Sequence, residues 1–389
     1  MSDMLGVGPL QRFIPISLEQ ACGQGLRGPD GAPMVTRHPY LPRAEVQVPA
    51  ISFGTPSLEG LHLRQTPHDT AAASAFDAGP LDCFLIADAV VRGRAGYVTS
   101  GEHIFTDFLH HIPLHLLPGV GPLVDGGYNF PAPPPALRLT DAVHFSSSNL
   151  ENYFHWTVDA ILRFDPDLLR PQPGRQPTVG LVPQALRGWQ AQFLDLLPKA
   201  EAPVVLLDHG ACLAVKRLVT VPSLSGGGFF FHPGALRLPR LWRQRLDSDV
   251  APAPGPRFRR IYISRQDTSE RRLLNEPELM ALVRRHGFEV VQLSGMDVAA
   301  QIRLFSASSR IIAPHGAGLT NLLYCRPNAT VLELHMDSYV QWCFRRIAGL
   351  QGLRYGCVIG TTEGPWQDNV HGNTWRIDLD EVAAAIAAM

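Results

Sequence analysis

Two groups of residues in this chain have the types and spacing to do chemistry. In Asn152-Tyr-Phe-His155-Trp156-Thr-Val-Asp159 a histidine and an aspartate stand four positions apart. On a helix that interval puts both on one face. A histidine oriented by a carboxylate suits proton removal from a hydroxyl near neutral pH. Either residue could take the proton while the other orients it, the imidazole being better matched by its ordinary pKa. The same residues also fit a polar cluster that merely caps a helix start. Trp156 beside them reads as core packing.

The second group is Arg310-Ile-Ile-Ala-Pro-His-Gly-Ala-Gly-Leu-Thr-Asn321. Ile311 to Ala313 form a short apolar run suited to a buried parallel strand. Gly316 and Gly318 would let the backbone turn tightly and approach a ligand. A helix starting there aims unpaired N–H groups and partial positive charge at any bound anion. His315 stands at the mouth of the turn, within reach of a phosphate or a reacting oxygen. An ordinary strand–loop–helix joint would use the same glycines.

The elements that must position these groups alternate. Ile261 to Ile263 reads as a strand, and Asn275-Glu-Pro-Glu278 as a helix start with Asn275 as N-cap, Glu278 completing a capping box and Gly287 as terminator. Phe288 to Leu293 is a strand, and Asp297 to Ser308 an amphipathic helix with Val298, Ile302 and Phe305 on one face. The strand before His315 and the helix bearing Leu319, Leu322 and Leu323 follow, then strands over Thr330–Leu334 and Arg354–Ile359. Such alternation predicts a parallel, doubly wound sheet that binds ligands at the carboxyl ends of its strands. Upstream, strands are predicted at 89–98 (a hairpin), 142–146, 179–182 and 204–207, with helices over 152–164 and 185–197. The resulting organisation is residues 1–79 as an N-terminal extension of uncertain structure, 80–249 as a first domain, the proline-rich 250–257 as a linker and 258–389 as a second domain.

An ordered set of motifs carries a family resemblance. Asn152-Tyr-Phe-His155-Trp156 with Asp159, then Tyr262-Ile-Ser-Arg265, Arg271-Arg272, Asn275-Glu276, Gln301-Ile302, His315-Gly-Ala-Gly318, Asn321 and Val331-Leu-Glu333 resemble glycosyltransferase family 61, of the bacterial capsular or surface-polysaccharide type. The resemblance implies an α/β GT-B fold, two Rossmann-like domains facing a central cleft. It implies inverting transfer of a sugar from a UDP-sugar to a glycan or glycolipid acceptor, with no metal and no further cofactor. His155, Asp159 and His315 would be the catalytic residues. Arg265 and Arg271, with His315, Gly316, Ala317 and Gly318, would hold the donor diphosphate. Asn321 would contact the donor or cap its helix. Glu333, at a strand end, would accept from ribose hydroxyls or stand exposed. A chain that kept the fold without catalysis would serve as a nucleotide-sugar- or glycan-binding partner in a polysaccharide-assembly complex.

Composition agrees. The 389 residues are 45% hydrophobic and 18% charged, as in a globular protein, and a net charge of −1 gives no footing for nucleic acid. Met1 to Gln20 lacks a signal-peptide pattern and no stretch has membrane-spanning length, so a cytoplasmic location is expected, with peripheral contact to the inner face of a membrane open and the oligomeric state unknown. Six scattered cysteines without a CxxC pair read as reduced thiols. No Gly-x-Ser-x-Gly elbow supports a hydrolase. Asp165-Pro-Asp167, Asp247-Ser-Asp249 and Asp378-Leu-Asp380 lack the strand context of a metal-binding Asp-x-Asp. No Gly-x-Gly-x-x-Gly stands in the strand-to-helix setting of a dinucleotide fold.

Overall fold

The computed structural model describes residues 10–54, 74–93, 96–108, 125–145, 151–164, 179–183, 188–197, 204–207, 211–221, 223–225, 231–248, 258–364 and 369–389. The proline-rich linker 250–257 and Asp165-Pro-Asp167 lie outside them. The chain divides into two units, Met1–Arg43 with Gly79–Gly227, and Ala44–Ala78 with Gly228–Met389.

The first unit is built on a mixed sheet. Val204–Leu207, Val179–Pro183, Leu137–His144 and Cys212–Thr220 lie side by side and parallel. Leu81–Arg92 then runs antiparallel to Cys212–Thr220, and Tyr97–Ser100 and His103–Phe105 continue as a meander. Leu10–Ile16 pairs with His103–Phe105 and Tyr128–Pro131, while Val35–Leu41 pairs with Leu81–Arg92. Within the N-terminal extension whose structure the sequence left uncertain, Leu10–Ile16 and Val35–Leu41 are strands of this sheet. Phe84, Ile86, Val91, Val98 and Leu218 fill its core.

The expected helix over 152–164 is three short pieces: α-helix Tyr153–His155, π-helix Trp156–Ala160 and 3-10 helix Ile161–Arg163. The hydroxyl of Thr157 donates to the Tyr153 carbonyl at 2.7 Å, competing with the regular helical bond at that turn. Asn152 does cap the start, accepting from the Phe154 N–H. Trp156 is buried as expected.

The second unit carries a parallel sheet in the order Glu289–Val291, Arg259–Ile263, Ser308–Pro314, Thr330–Met336, Arg354–Glu363. Counted along the chain this is order 2-1-3-4-5, with a topological switch between Arg259–Ile263 and Ser308–Pro314. Thr374–Arg376 adds antiparallel, and Ile51–Gly54 adds parallel beside Arg354–Glu363. That last pairing needs glycine: a β-carbon at Gly356 would meet the Phe53 ring at 2.2 Å. Helices Glu276–Arg285 and Val298–Ser306 make the crossovers, and Val298, Ile302 and Phe305 are buried as their spacing demands. Leu379–Ala388 packs Val382 and Ile386 into the same core as Tyr262, Ile312 and Leu332.

Two local expectations change. Asn275 occupies the N-cap position, but its side chain bonds the backbone of Ile377 in both directions instead of capping. The helix after His315 is a 3-10 helix, Ala317–Tyr324. Gly23-Gln-Gly-Leu-Arg-Gly28 has the letters of a dinucleotide motif but trails the helix Leu18–Gly23 rather than opening one. All six cysteines are free thiols. Among the described residues no helix is long and apolar enough to cross a membrane.

Candidate active site

The switch point of the second sheet is where its two flanking strands deliver Arg265 and the His315–Gly318 turn. Arg265 follows Arg259–Ile263, and His315 follows Ser308–Pro314. The two turns touch: a β-carbon at Gly316 would stand 2.0 Å from Arg265 Nη1. Gly316 therefore makes room for a guanidinium. Gly318 has another task, since its β-carbon would meet Leu293 Cδ1 at 2.9 Å, so it serves packing beside the sheet. Arg265, Arg271, Pro314, His315, Tyr339 and Trp375 line a pocket of about 210 Å³ including its open mouth.

Scaffold groups fix the arginine-bearing turns. Glu276 accepts from the Tyr262 hydroxyl at 2.8 Å and from the Arg265 backbone N–H at 2.9 Å. Arg271 has φ +48°, a conformation that bulky side chains seldom adopt. It is held there by its own N–H on the His371 carbonyl and by Trp375 Nε1–H on its carbonyl, both at 2.8 Å. The Arg271 guanidinium lies 5.0 Å from the Tyr339 ring centre and contacts His371 Nδ1. Nε of both Arg265 and Arg271 is buried without a hydrogen-bond partner. Burial, then the neighbouring charge of Arg271, pulls the Arg265 pKa down to about 10. Burial likewise lowers Arg271. Arg272, by contrast, is exposed. Strained backbone and desolvated like charges persist where something else compensates them.

His315 is 9% exposed and its Nδ1 lies 2.6 Å from Glu333 Oε1. Burial drives its pKa down to about 4, against the opposing pull of Glu333. Burial alone would raise Glu333, but His335 and His315 bring it to about 2. At neutral pH the pair is thus a neutral imidazole donating Nδ1–H to a carboxylate. Nε2 is then an acceptor, and contact with a phosphate oxygen requires a second proton on the ring. Glu333 is not at a strand end. It sits in the middle of Thr330–Met336, fully buried, and also accepts from the Tyr355 hydroxyl at 2.5 Å. It orients His315 and has no path to a ribose in this geometry. Asn321 is also fully buried, donating to Gln301 Oε1 at 2.8 Å and the Gly318 carbonyl at 3.1 Å. It bolts the 3-10 helix to its neighbour.

In the first unit, His155 Nδ1 and Asp159 Oδ2 are 2.7 Å apart. The Asp159 side chain is 3% exposed and that of His155 20%. Asp159 Oδ1 accepts from Ser225 Oγ at 2.6 Å. With Nδ1–H given to Asp159, the other imidazole nitrogen is the basic one.

Residues 153–332, which contain His155, Asp159, Arg265, Arg271 and the turn after His315, match the family model Glycosyltransferase 61. Over those residues, fewer than half of the chain, it resembles the glycosyltransferase 61 family. Similar proteins include beta-1,2-xylosyltransferase XAX1 of Oryza sativa subsp. japonica, 36% identical over 101 residues, which are 26% of this chain and 18% of the relative. The EGF domain-specific O-linked N-acetylglucosamine transferase of Drosophila melanogaster is 31% identical over 105 residues, 26% of this chain and 20% of the relative. A beta-1,2-xylosyltransferase of Arabidopsis thaliana is 36% identical over 63 residues, 16% and 12% respectively. The matches thus span about a fifth or less of each relative's length.

Sequence reasoning did not find Tyr339, His371, Trp375, Tyr355, His335 or Ser225. Only His335 had a local signal: Glu333 and His335 alternate on one face of a strand. Among the described residues, His315, Glu333 and His335 bring three metal-capable ligand atoms within 4.8 Å of one another. Tetrahedral ligand atoms bonded to one zinc at about 2.0–2.2 Å stand about 3.3–3.6 Å apart. The 2.6 Å between His315 Nδ1 and Glu333 Oε1 is the spacing of a charge-assisted hydrogen bond.

Proposed function

We propose that the protein is an inverting, metal-independent glycosyltransferase. It moves a sugar from a UDP-sugar to a hydroxyl of a glycan or glycolipid in bacterial capsular or other surface-polysaccharide synthesis. The observation that carries this reading is the convergence of two desolvated guanidinium groups, each with an unpartnered Nε, on the glycine turn at a topological switch point. Two neighbouring, largely buried positive charges, with Glu270 3.9 Å from Arg271, favour a polyanion, and arginine forks fit phosphate oxygens. A helix start beside them adds oriented N–H groups.

On this reading Arg265 and Arg271 hold the diphosphate and stabilise its charge as the bond to the anomeric carbon breaks. His315, protonated when the anion arrives, donates to a phosphate oxygen. The acceptor hydroxyl loses its proton to His155, and its oxygen forms the new bond at the anomeric carbon. His155 is the base and Asp159 its orienter, because the carboxylate is buried and engaged on both oxygens while the imidazole is partly open. The two sites lie in different units, which is the organisation a GT-B enzyme would have. We place the reaction in the cytoplasm, at the inner face of a membrane.

The test is turnover of a panel of UDP-sugars with glycan acceptors, with product configuration read by NMR. An inverted product formed equally in EDTA is expected. UDP that binds while no UDP-sugar turns over with any acceptor would mean a non-catalytic partner.

A further inference from the structure

Asp159 is held from two sides, and the second side belongs to a segment outside both sequence motifs. Its Oδ2 meets His155 Nδ1 at 2.7 Å, while Oδ1 accepts from Ser225 Oγ at 2.6 Å and Ser223 Oγ at 3.4 Å. Ser225 is fully buried. The two serines also fix each other, Ser225 N–H donating to Ser223 Oγ at 3.3 Å. They follow the strand Cys212–Thr220, whose end is clamped to the same π-helical turn by Arg163. That buried guanidinium donates to the Val221 carbonyl at 2.8 Å, the Asp159 carbonyl at 3.2 Å and Thr220 Oγ1 at 3.4 Å.

We propose that Ser225 is a positioning residue for proton transfer, aiming the Asp159 carboxylate so that His155 presents its other nitrogen to the acceptor hydroxyl. This rests on His155 being the base. The reason is torsional. The χ2 angle of an aspartate is broad and roughly two-fold, so one hydrogen bond from a histidine does not set the carboxylate plane. A second donor on the other oxygen does. The turn itself is a π-helix, a winding that recurs at functional sites and that offers less regular backbone support than an α-helix. Arg163 fixes the backbone of Asp159, Ser225 its side chain. Among the described residues, the buried Arg163 guanidinium comes from the pair's own segment and the neutral Ser223 and Ser225 from the facing one.

The test uses the full chain with Ser225→Ala, Ser225→Cys, which keeps the volume with a weaker donor, and His155→Gln as reference. Loss of the Ser225 hydroxyl should lower kcat about tenfold and leave the donor KM within about twofold. Ser225→Cys should fall between Ser225→Ala and wild type. The low-field proton NMR signal of the Nδ1–H bond to Asp159, identified by its loss in His155→Gln, should shift or broaden in Ser225→Ala. That signal needs no substrate and reads the hydrogen bond directly. An unmoved signal with unchanged kcat in a folded Ser225→Ala overturns the inference, as does equal activity in the Ala and Cys variants. If His155→Gln itself keeps wild-type turnover, the base assignment falls first and takes this inference with it.

Discussion

Arg265 lies so close over Gly316 that a β-carbon at that glycine would stand 2.0 Å from its Nη1. The contact joins the carboxyl ends of the two strands that flank the sheet's switch point. Gly316 has φ 173°, an extended value open to any residue, so its need is for space alone. Gly316→Ala should therefore leave stability nearly unchanged, because the obstacle is the far end of a flexible side chain. It should displace the guanidinium and weaken UDP binding about tenfold. Gly318→Ala should do the reverse, costing about 1 kcal/mol of stability against Leu293 with affinity unchanged. Paired thermal melts and nucleotide titrations of the two variants separate these outcomes, and identical behaviour would refute the distinction.

His155→Gln and Asp159→Asn should each reduce turnover at least about a hundredfold, the range of general-base catalysis. UDP affinity should stay within about twofold, since the pair belongs to the other unit. Parallel steady-state kinetics and calorimetry check this. A loss of nucleotide affinity matching the loss of turnover would move these residues to the donor site.

The buried His315–Glu333 pair gives stability a definite pH dependence. His315 titrates near 4 in the folded protein against an ordinary 6.5, so the unfolded chain takes up that proton first. Its contribution is complete above pH 6.5 and drains away as pH falls towards 4. Glu333, near 2 against an ordinary 4.5, adds a loss of the same sign between 4.5 and 2. Melting of the wild type should fall from pH 6.5 to 4 more steeply than melting of His315→Gln. Parallel curves for the two proteins would contradict the assignment.

The same pair links nucleotide binding to protons. A neutral His315 offers Nε2 only as an acceptor, so a phosphate oxygen there requires protonation. UDP binding should take up about one proton per site above pH 6. Calorimetry in two buffers of different ionisation enthalpy measures it, and His315→Gln should abolish the uptake.

Much of the second unit was legible from its sequence. Strand and helix periods, the Gly287 terminator and the glycine turn after Pro314 are local signals, and all fall where their chemistry puts them. The first unit was less so. Leu10–Ile16 and Val35–Leu41 are short strands whose partners lie far along the chain; in the second unit, Ile51–Gly54 likewise pairs with a strand about 300 residues on, beyond any local pattern. At the site, Arg265 and His315 could be read because each ends a strand. Glu333 was left between a ribose contact and an exposed carboxylate, and Asn321 between a donor contact and a local cap, because sequence gives a residue's place on a strand or helix but not what packs over it. Trp375 and His371 reach Arg271 from about a hundred residues away, and Ser225 reaches Asp159 from a segment with no motif of its own.

The most direct measurement is calorimetric titration of UDP into the purified protein and into Arg265→Ala, each with and without EDTA. Micromolar binding that survives chelation and is lost on removing Arg265 is the expected result. Binding that persists in Arg265→Ala, or vanishes with EDTA in the wild type, would contradict a metal-independent diphosphate site at the switch point.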